Sequence, residues 1–180
     1  ANTSSSILIA KVQGNIVDTL MPPLSATEML VGYVAGGVAR GLLCAVAVAV
    51  VLFPAVGTGL AHPLWALWFV VAASAILALL GMLVGIFATK FDQMAAIQNF
   101  LITPLSFLSG TFYSIEVLPG TFQAVSHANP FFYLIDGFRH GVLGVSDASP
   151  WTGFAITLGL ILGLGGLAWS WLARGYRLKS

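Results

Sequence analysis

Between Arg40 and Lys90 the chain has no Asp, Glu, Lys or Arg. A water-facing helix or strand needs a polar side, and an interval this long without a charge supplies none. It is broken by Pro54, Gly57, Gly59, His62 and Pro63. An α-helix rises about 1.5 Å per residue and must cross roughly 30 Å of hydrocarbon, so the interval predicts two membrane spans, near 31–53 and 64–88. The whole composition agrees. Of 180 residues 58% are hydrophobic and 7% charged, with a mean hydropathy of +0.97, far from the soluble globular class. The predicted fold class is all-α, a polytopic integral membrane helical bundle forming one domain over 1–180.

Two more spans complete the reading. An apolar segment at 96–113 follows Lys90 to Gln93 and carries Pro104 centrally. It predicts a kinked helix whose freed backbone groups neighbouring helices satisfy. The last span runs over 151–173. Lys11 and Arg40 precede the first span, Lys90 lies between the second and third, and Arg174, Arg177 and Lys179 follow the fourth. Positive charge marks cytoplasmic loops, so both chain ends read as cytoplasmic and the loops 54–63 and 114–150 as external.

Charge and cysteine usage exclude several classes. Seven Lys plus Arg against six Asp plus Glu give a net charge of +1, too little for a nucleic-acid surface. The lone Cys44 offers neither a disulfide nor a thiolate metal cluster. His62, His127 and His140 contain no close-spaced ligand pair, and we expect no metal and no cofactor.

The chain opens on Ala1, and Ile7 to Ala10 is too short an apolar core for export targeting, so it reads as a fragment whose beginning is missing. From Gly14 onward Ile16, Val17, Leu20 and Met21 share one helical face, with Asn15, Asp18 and Thr19 on the other. A short amphipathic helix follows, of the kind that lies in the headgroup layer. Pro22 and Pro23 end it, and Ser25-Ala26-Thr27-Glu28 is a capping box for the next helix.

Within the spans, Gly32 and Gly36, Gly37 and Gly41, Gly81 and Gly85, and Gly159 and Gly163 form small-xxx-small pairs that permit close helix packing. Arg40 is read as snorkelling to the cytoplasmic interface. Asp136 and Arg139 have the i, i+3 spacing of a helical ion pair. The aromatic residues from Phe107 to Phe138 read as an interfacial belt that also offers an apolar route for a lipid-like substrate, and the five Trp residues read as anchors near span ends.

Asn99-Phe-Leu-Ile-Thr-Pro104-Leu-Ser-Phe-Leu-Ser109-Gly110, then Thr-Phe-Tyr-Ser, Leu118-Pro119, Asn129-Pro130 and Asp136-Gly-Phe-Arg139 ahead of Leu143-Gly144, form a series that resembles the membrane permease of type-2 ABC exporters. Lys11-Val-Gln-Gly-Asn15-Ile16-Val-Asp18 through Pro22-Pro23-Leu24-Ser25 is similar to the cytoplasmic loop of that family. The family typically has six spans, so the resemblance implies that these are the last four. It also implies a second permease copy and an ABC ATPase subunit as partners within the membrane lipid. Residues 11–24 would be the coupling segment, with Asn15, Ile16, Asp18, Thr19 and Leu20 at the ATPase. Short outer-leaflet helices would lie within 114–146. Pro104, Ser109, Gly110, Pro119, Asn129, Pro130, Asp136 and Arg139 would be motif residues of structural role.

A phosphate-cradling loop needs Gly-Lys followed by Ser or Thr, whereas Lys11, Lys90 and Lys179 follow Ala10, Thr89 and Leu178. The chain is therefore not expected to be an enzyme, and ATP would be hydrolysed by the partner. The expected function is export of a drug, lipid or polysaccharide across the cytoplasmic (inner) membrane by alternating access. An ATP-independent channel or ion-coupled carrier is the alternative, disfavoured because Asp92, Glu116, Asp136 and Asp147 all fall outside the expected spans. A minor alternative is an intramembrane serine hydrolase, with Ser109 activated by His127 or His140. The variant Ser109→Ala separates the two: in a transport assay on the intact system it retains activity if Ser109 is a packing residue, and abolishes it if Ser109 is a nucleophile.

Overall fold

A computed structural model of the chain describes residues 25–57, 59–88, 90–97, 103–107 and 129–174, together with Ile9, Asn99, Phe100 and Ser109. The expected coupling segment 11–24, Gly110, Pro119 and the stretch 111–128 lie outside the described residues. Among the described residues the chain forms six helices and no strand: α1 (Ala26–Val56), α2 (Pro63–Phe87), α3 (Phe91–Ile97), α4 (Thr103–Phe107), α5 (Pro130–Leu143) and α6 (Pro150–Ala173). Three of them, α1, α2 and α6, are long and apolar enough to cross a membrane, with 31, 25 and 24 residues.

The first helix starts where its chemistry dictates. Glu28 N–H donates to Ser25 Oγ at 3.2 Å, and Ser25 N–H donates back to Glu28 Oε2 at 2.7 Å. This reciprocal cap satisfies two donors at the helix start and is worth about 1 kcal/mol. Gly57, at φ 69°, ends the helix in the left-handed region and donates its N–H to Phe53 O. A helix of 31 residues is about 46 Å long and overshoots the ~30 Å hydrocarbon core, which leaves room for the capped turns outside it. Arg40 is exposed on this helix.

The centre of the bundle is α2. Ala66, Ala72, Ala75, Ala78, Gly81 and Gly85 are all buried, and the run from Ala72 to Gly81 places a small residue at every third position. Such a stripe lets neighbouring backbones come close, the main source of helix association in lipid. Toward one end Leu79, Met82, Leu83 and Ile86 meet Ala168 of α6, with Leu30, Tyr33 and Val34 of α1 packed against them. Toward the other, Phe69, Ala72 and Ile76 meet Leu134 of α5. By contrast α1 buries no residue, and α6 buries only Gly153, Thr157 and Ala168.

Paired contacts fix the directions. Gly41 of α1 sits against Ser74, so α1 runs antiparallel to α2. Gly153 lies by Phe69 and Trp68 Nε1 donates to the buried Thr157 Oγ1 at 3.3 Å, while Ala168 meets Leu79 to Ile86, so α6 runs parallel to α2. Gly141 abuts Ala66 and Gly137 abuts the Phe69 ring, so α5 runs antiparallel along the first half of α2 only. Of the glycine pairs read from the sequence, Gly81 and Gly85 are buried and Gly41 packs on Ser74, while Gly32, Gly36, Gly159 and Gly163 meet nothing within 4 Å where a Cβ would stand.

Of the third expected span, 96–113, the described residues are the end of α3, Asn99, Phe100, α4 and Ser109, and Pro104 is the second described residue of α4.

At Gly141 a Cβ would stand 2.6 Å from Ala66 Cα and within reach of its backbone nitrogen, where no side chain can give way. Gly141→Ala is therefore expected to destabilise the purified protein by about 1–3 kcal/mol, read as a lower melting temperature in detergent. Gly163→Ala, placed in open space, should be neutral or mildly stabilising through helix propensity. Equal effects of the two substitutions would contradict the packing described.

Candidate functional site

The polar chemistry of the described residues collects at the end of the bundle where α2 begins. It is organised by α5. Asn129, 5% exposed, caps this helix by accepting the Phe131 N–H at 3.0 Å, and Pro130 follows at the first helical position. The same side chain donates Nδ2–H to Leu105 O of α4 at 2.7 Å. One residue thus starts α5 and ties it to α4. The helix closes at Gly144, φ 75°, in the left-handed conformation that glycine adopts without strain.

Asp136 is 4% exposed and fully engaged. Its Oδ1 accepts from Arg139 Nη2 at 2.6 Å and from Asp147 N–H at 2.8 Å, and its Oδ2 accepts from Ala148 N–H at 3.0 Å. Arg139 also reaches Asp147 Oδ2 at 2.7 Å. Two carboxylates therefore share one guanidinium, and two backbone amides of the α5–α6 loop complete the set. Burial opposes the charge of Arg139, but the hydrogen bond and charge of Asp147, with those of Asp136, outweigh it and hold the guanidinium above its ordinary range. A buried carboxylate with these partners is a clasp: it fixes the loop 144–149 onto α5.

A second seam joins α5 to the start of α2. Ala61 N–H donates to Val142 O at 3.2 Å, and His62 N–H donates to Gly141 O at 2.8 Å. These bonds satisfy carbonyls that a helix C-terminus otherwise leaves unpaired. His62 stacks on His140, with Trp65 edge-on to His140 and to Trp151 of α6.

Toward the interior, a cavity of about 230 Å³ lies between α2, α5 and α6, walled by side chains such as Ile76, Leu80, Phe131, Leu134, Leu160 and Leu164. Its lining is hydrocarbon, so it accepts apolar groups and penalises polar ones.

The motif residues read from the sequence are thus partly gathered. Asn129, Pro130, Asp136 and Arg139 share α5 and its cap, and Ser109, 1% exposed, lines a small space with Phe132, Asp136, Arg139 and Asp147. Pro104 stands apart, exposed on α4. Asn15, Ile16, Asp18, Thr19, Leu20, Gly110 and Pro119 lie outside the described residues. Sequence reasoning missed Asp147, whose signal was its place in a six-residue loop after the glycine stop at 144. It also missed the His62–His140 stack, for which sequence spacing holds no signal.

Arg139→Met strips the buried Asp136 of its counter-charge and is expected to cost on the order of 3 kcal/mol. The readouts are thermal stability and the rate of proteolysis within 144–149; an unchanged melting temperature and an uncleaved loop would show that the clasp contributes nothing.

The chain matches the ABC-2 type transporter family over residues 1–143. It is 37% identical over 180 residues to the inner membrane transport permease YadH of Escherichia coli K12, covering 100% of this chain and 70% of that protein. Nodulation protein J of Rhizobium leguminosarum biovar viciae is 29% identical over 125 residues, which is 69% of this chain and 48% of the relative. No solved structure matches the chain. With three helices among its described residues able to cross a membrane, a family match over residues 1–143 and 37% identity to a transport permease, the chain belongs to the ABC-2 type transporter family as a membrane transport permease.

Proposed function

We propose that the chain is the last four spans of a permease that exports its substrate by alternating access, driven by ATP hydrolysed on a separate subunit. The observation that carries this reading is the family match over residues 1–143, because it includes both the amphipathic stretch 11–24 and the helix it feeds. The sequence offers no Gly-Lys-Ser/Thr loop of its own, so the energy has to enter through a cytoplasmic contact. Residues 11–24 are the coupling segment, with Asn15, Ile16, Asp18, Thr19 and Leu20 toward the ATPase. Pro22 and Pro23 lead directly into the capped start of α1.

The bundle is built to pass on a displacement delivered there. Trp169 Nε1 donates to Thr27 Oγ1 at 3.2 Å, linking the first turn of α1 to the last turns of α6. A push on the coupling segment therefore reaches α1 and α6 together. With both chain ends cytoplasmic, as the distribution of Lys and Arg supports, α5 and the clasp lie at the external face. There α5 acts as a re-entrant outer-leaflet helix, since it accompanies α2 for only half its length. A second permease copy supplies the opposing wall of the transport path, in the inner membrane. The hydrocarbon-lined cavity supports a substrate with an apolar portion, within the drug, lipid or polysaccharide class.

The test is a detergent pull-down of the full-length permease with and without residues 14–21, probed for a co-purifying ATPase and for vanadate-sensitive ATP hydrolysis. Loss of the ATPase from a deletion variant that keeps its melting transition is the expected result. Retention of the ATPase by that variant would place the coupling contact elsewhere, and absence of an ATPase from both forms would overturn ATP-driven transport in favour of a carrier.

A further inference from the structure

Two histidines meet at the end of the bundle where α2 begins, and neither belongs to the ion-pair clasp or to the coupling path. His62 caps α2 and is exposed; His140 lies in the last turn of α5. Their rings stack with centroids 4.9 Å apart and planes 20° from parallel. His140 Nδ1 is buried and has no hydrogen-bond partner among the described residues. The backbones of the same two segments are joined by the Ala61–Val142 and His62–Gly141 hydrogen bonds. Any force between the rings therefore acts on the joint between α2 and α5.

Among the described residues few charged groups surround the two rings. On α5 the titratable neighbours are Asp136, Arg139 and Tyr133, and in the following loop Asp147. The helices packed against them, α2 over 63–87 and α6 over 150–173, contain no titratable side chain. Asp136 and Asp147 are both bonded to Arg139, so their charge is already matched in part.

Two neutral imidazoles stack without penalty. A single proton is also tolerated, because the C-terminal turn of a helix favours a cation. Two protons place like charges face to face, 4.9 Å apart between ring centroids, whereas Arg139 is taken up by its two carboxylates. Histidine is the side chain that gains this charge between about pH 8 and pH 5.

We propose that the His62–His140 stack is a proton-operated latch, which holds the end of α5 on the start of α2 while at most one ring is charged and releases it when both are. Protonation of both rings breaks the stack and loosens the two backbone bonds that join residues 61–62 to 141–142. The source of the protons, the external aqueous phase, rests on the orientation proposed above; the coupling of the two rings does not.

The experiment uses the full-length permease in lipid nanodiscs with ¹³C-labelled histidine, following both rings by NMR as the pH is lowered. The ring-current shifts that each imidazole imposes on the other are expected to be present near pH 7.5 and lost near pH 5, as the stack opens. Their persistence at pH 5 would overturn the proposal. Amide exchange at residues 61 and 62, corrected for its intrinsic pH dependence, should be about tenfold faster near pH 5 than near pH 7.5 in the wild type and insensitive to pH in His62→Gln. Constant protection in the wild type would refute the latch even with coupled rings. His62 is exposed, so its replacement removes the stack but leaves the buried side chains of α2 and α5 in place, and the test does not depend on a variant at His140. In vesicles of known sidedness, release by internal acid alone would refute the orientation and leave the latch standing.

Discussion

A leucine gains almost nothing by leaving lipid for the interior of a helical bundle, because both surroundings are hydrocarbon. What holds the described helices together is therefore how closely their surfaces meet, and in this chain that is decided by α2. Its buried Ala and Gly residues bring α1, α5 and α6 within dispersion range, while its larger side chains Phe69, Leu79, Met82 and Ile86 fill the spaces those approaches leave. The contact is reciprocal along the first half of α2. There Gly137, Gly141 and Gly153 offer the flat surface and Phe69 and Ala66 the relief. Short polar bonds are added sparingly, as between Trp68 and Thr157, where the donor would otherwise stand unpaired in an apolar medium.

Polar bonding is concentrated instead where the chain turns. Between α5 and α6 the connection is six residues long, and it is pinned through Asp136 by two backbone amides and by an arginine that also holds Asp147. Between α1 and α2 it is pinned by backbone bonds to the end of α5. Both turns thus converge on one short helix. The apolar cavity lies alongside the other end of that helix, at Pro130, Phe131 and Leu134. In the transport cycle proposed for this permease, α5 would stand between the external face and the hydrocarbon-lined space.

Local signals carried much of this into the sequence. The uncharged interval from Arg40 to Lys90 dictates two apolar helices because no soluble element could satisfy it, and helices occupy 26–56 and 63–87. The capping box at Ser25 and the Asp136–Arg139 spacing are legible because both partners lie within one turn. Contacts across the chain were not. The alanine part of the α2 stripe reads as generic apolar sequence until a neighbour is placed against it, and the partnership of Asp147 depends on the path taken by a loop. The residues expected to meet an ATPase, 11–24, remain a matter of pattern and family resemblance.

The clasp at Asp136 has a mechanical consequence. Because Asp136 holds the amides of Asp147 and Ala148, and Gly153 of α6 also lies against the Tyr133 carbonyl, the two helices form an elbow. Neither arm of an elbow tilts alone. In the transport cycle proposed for this permease, a change in the inclination of α6 would therefore swing the far end of α5 and, through the Asn129–Leu105 bond, carry α4 with it.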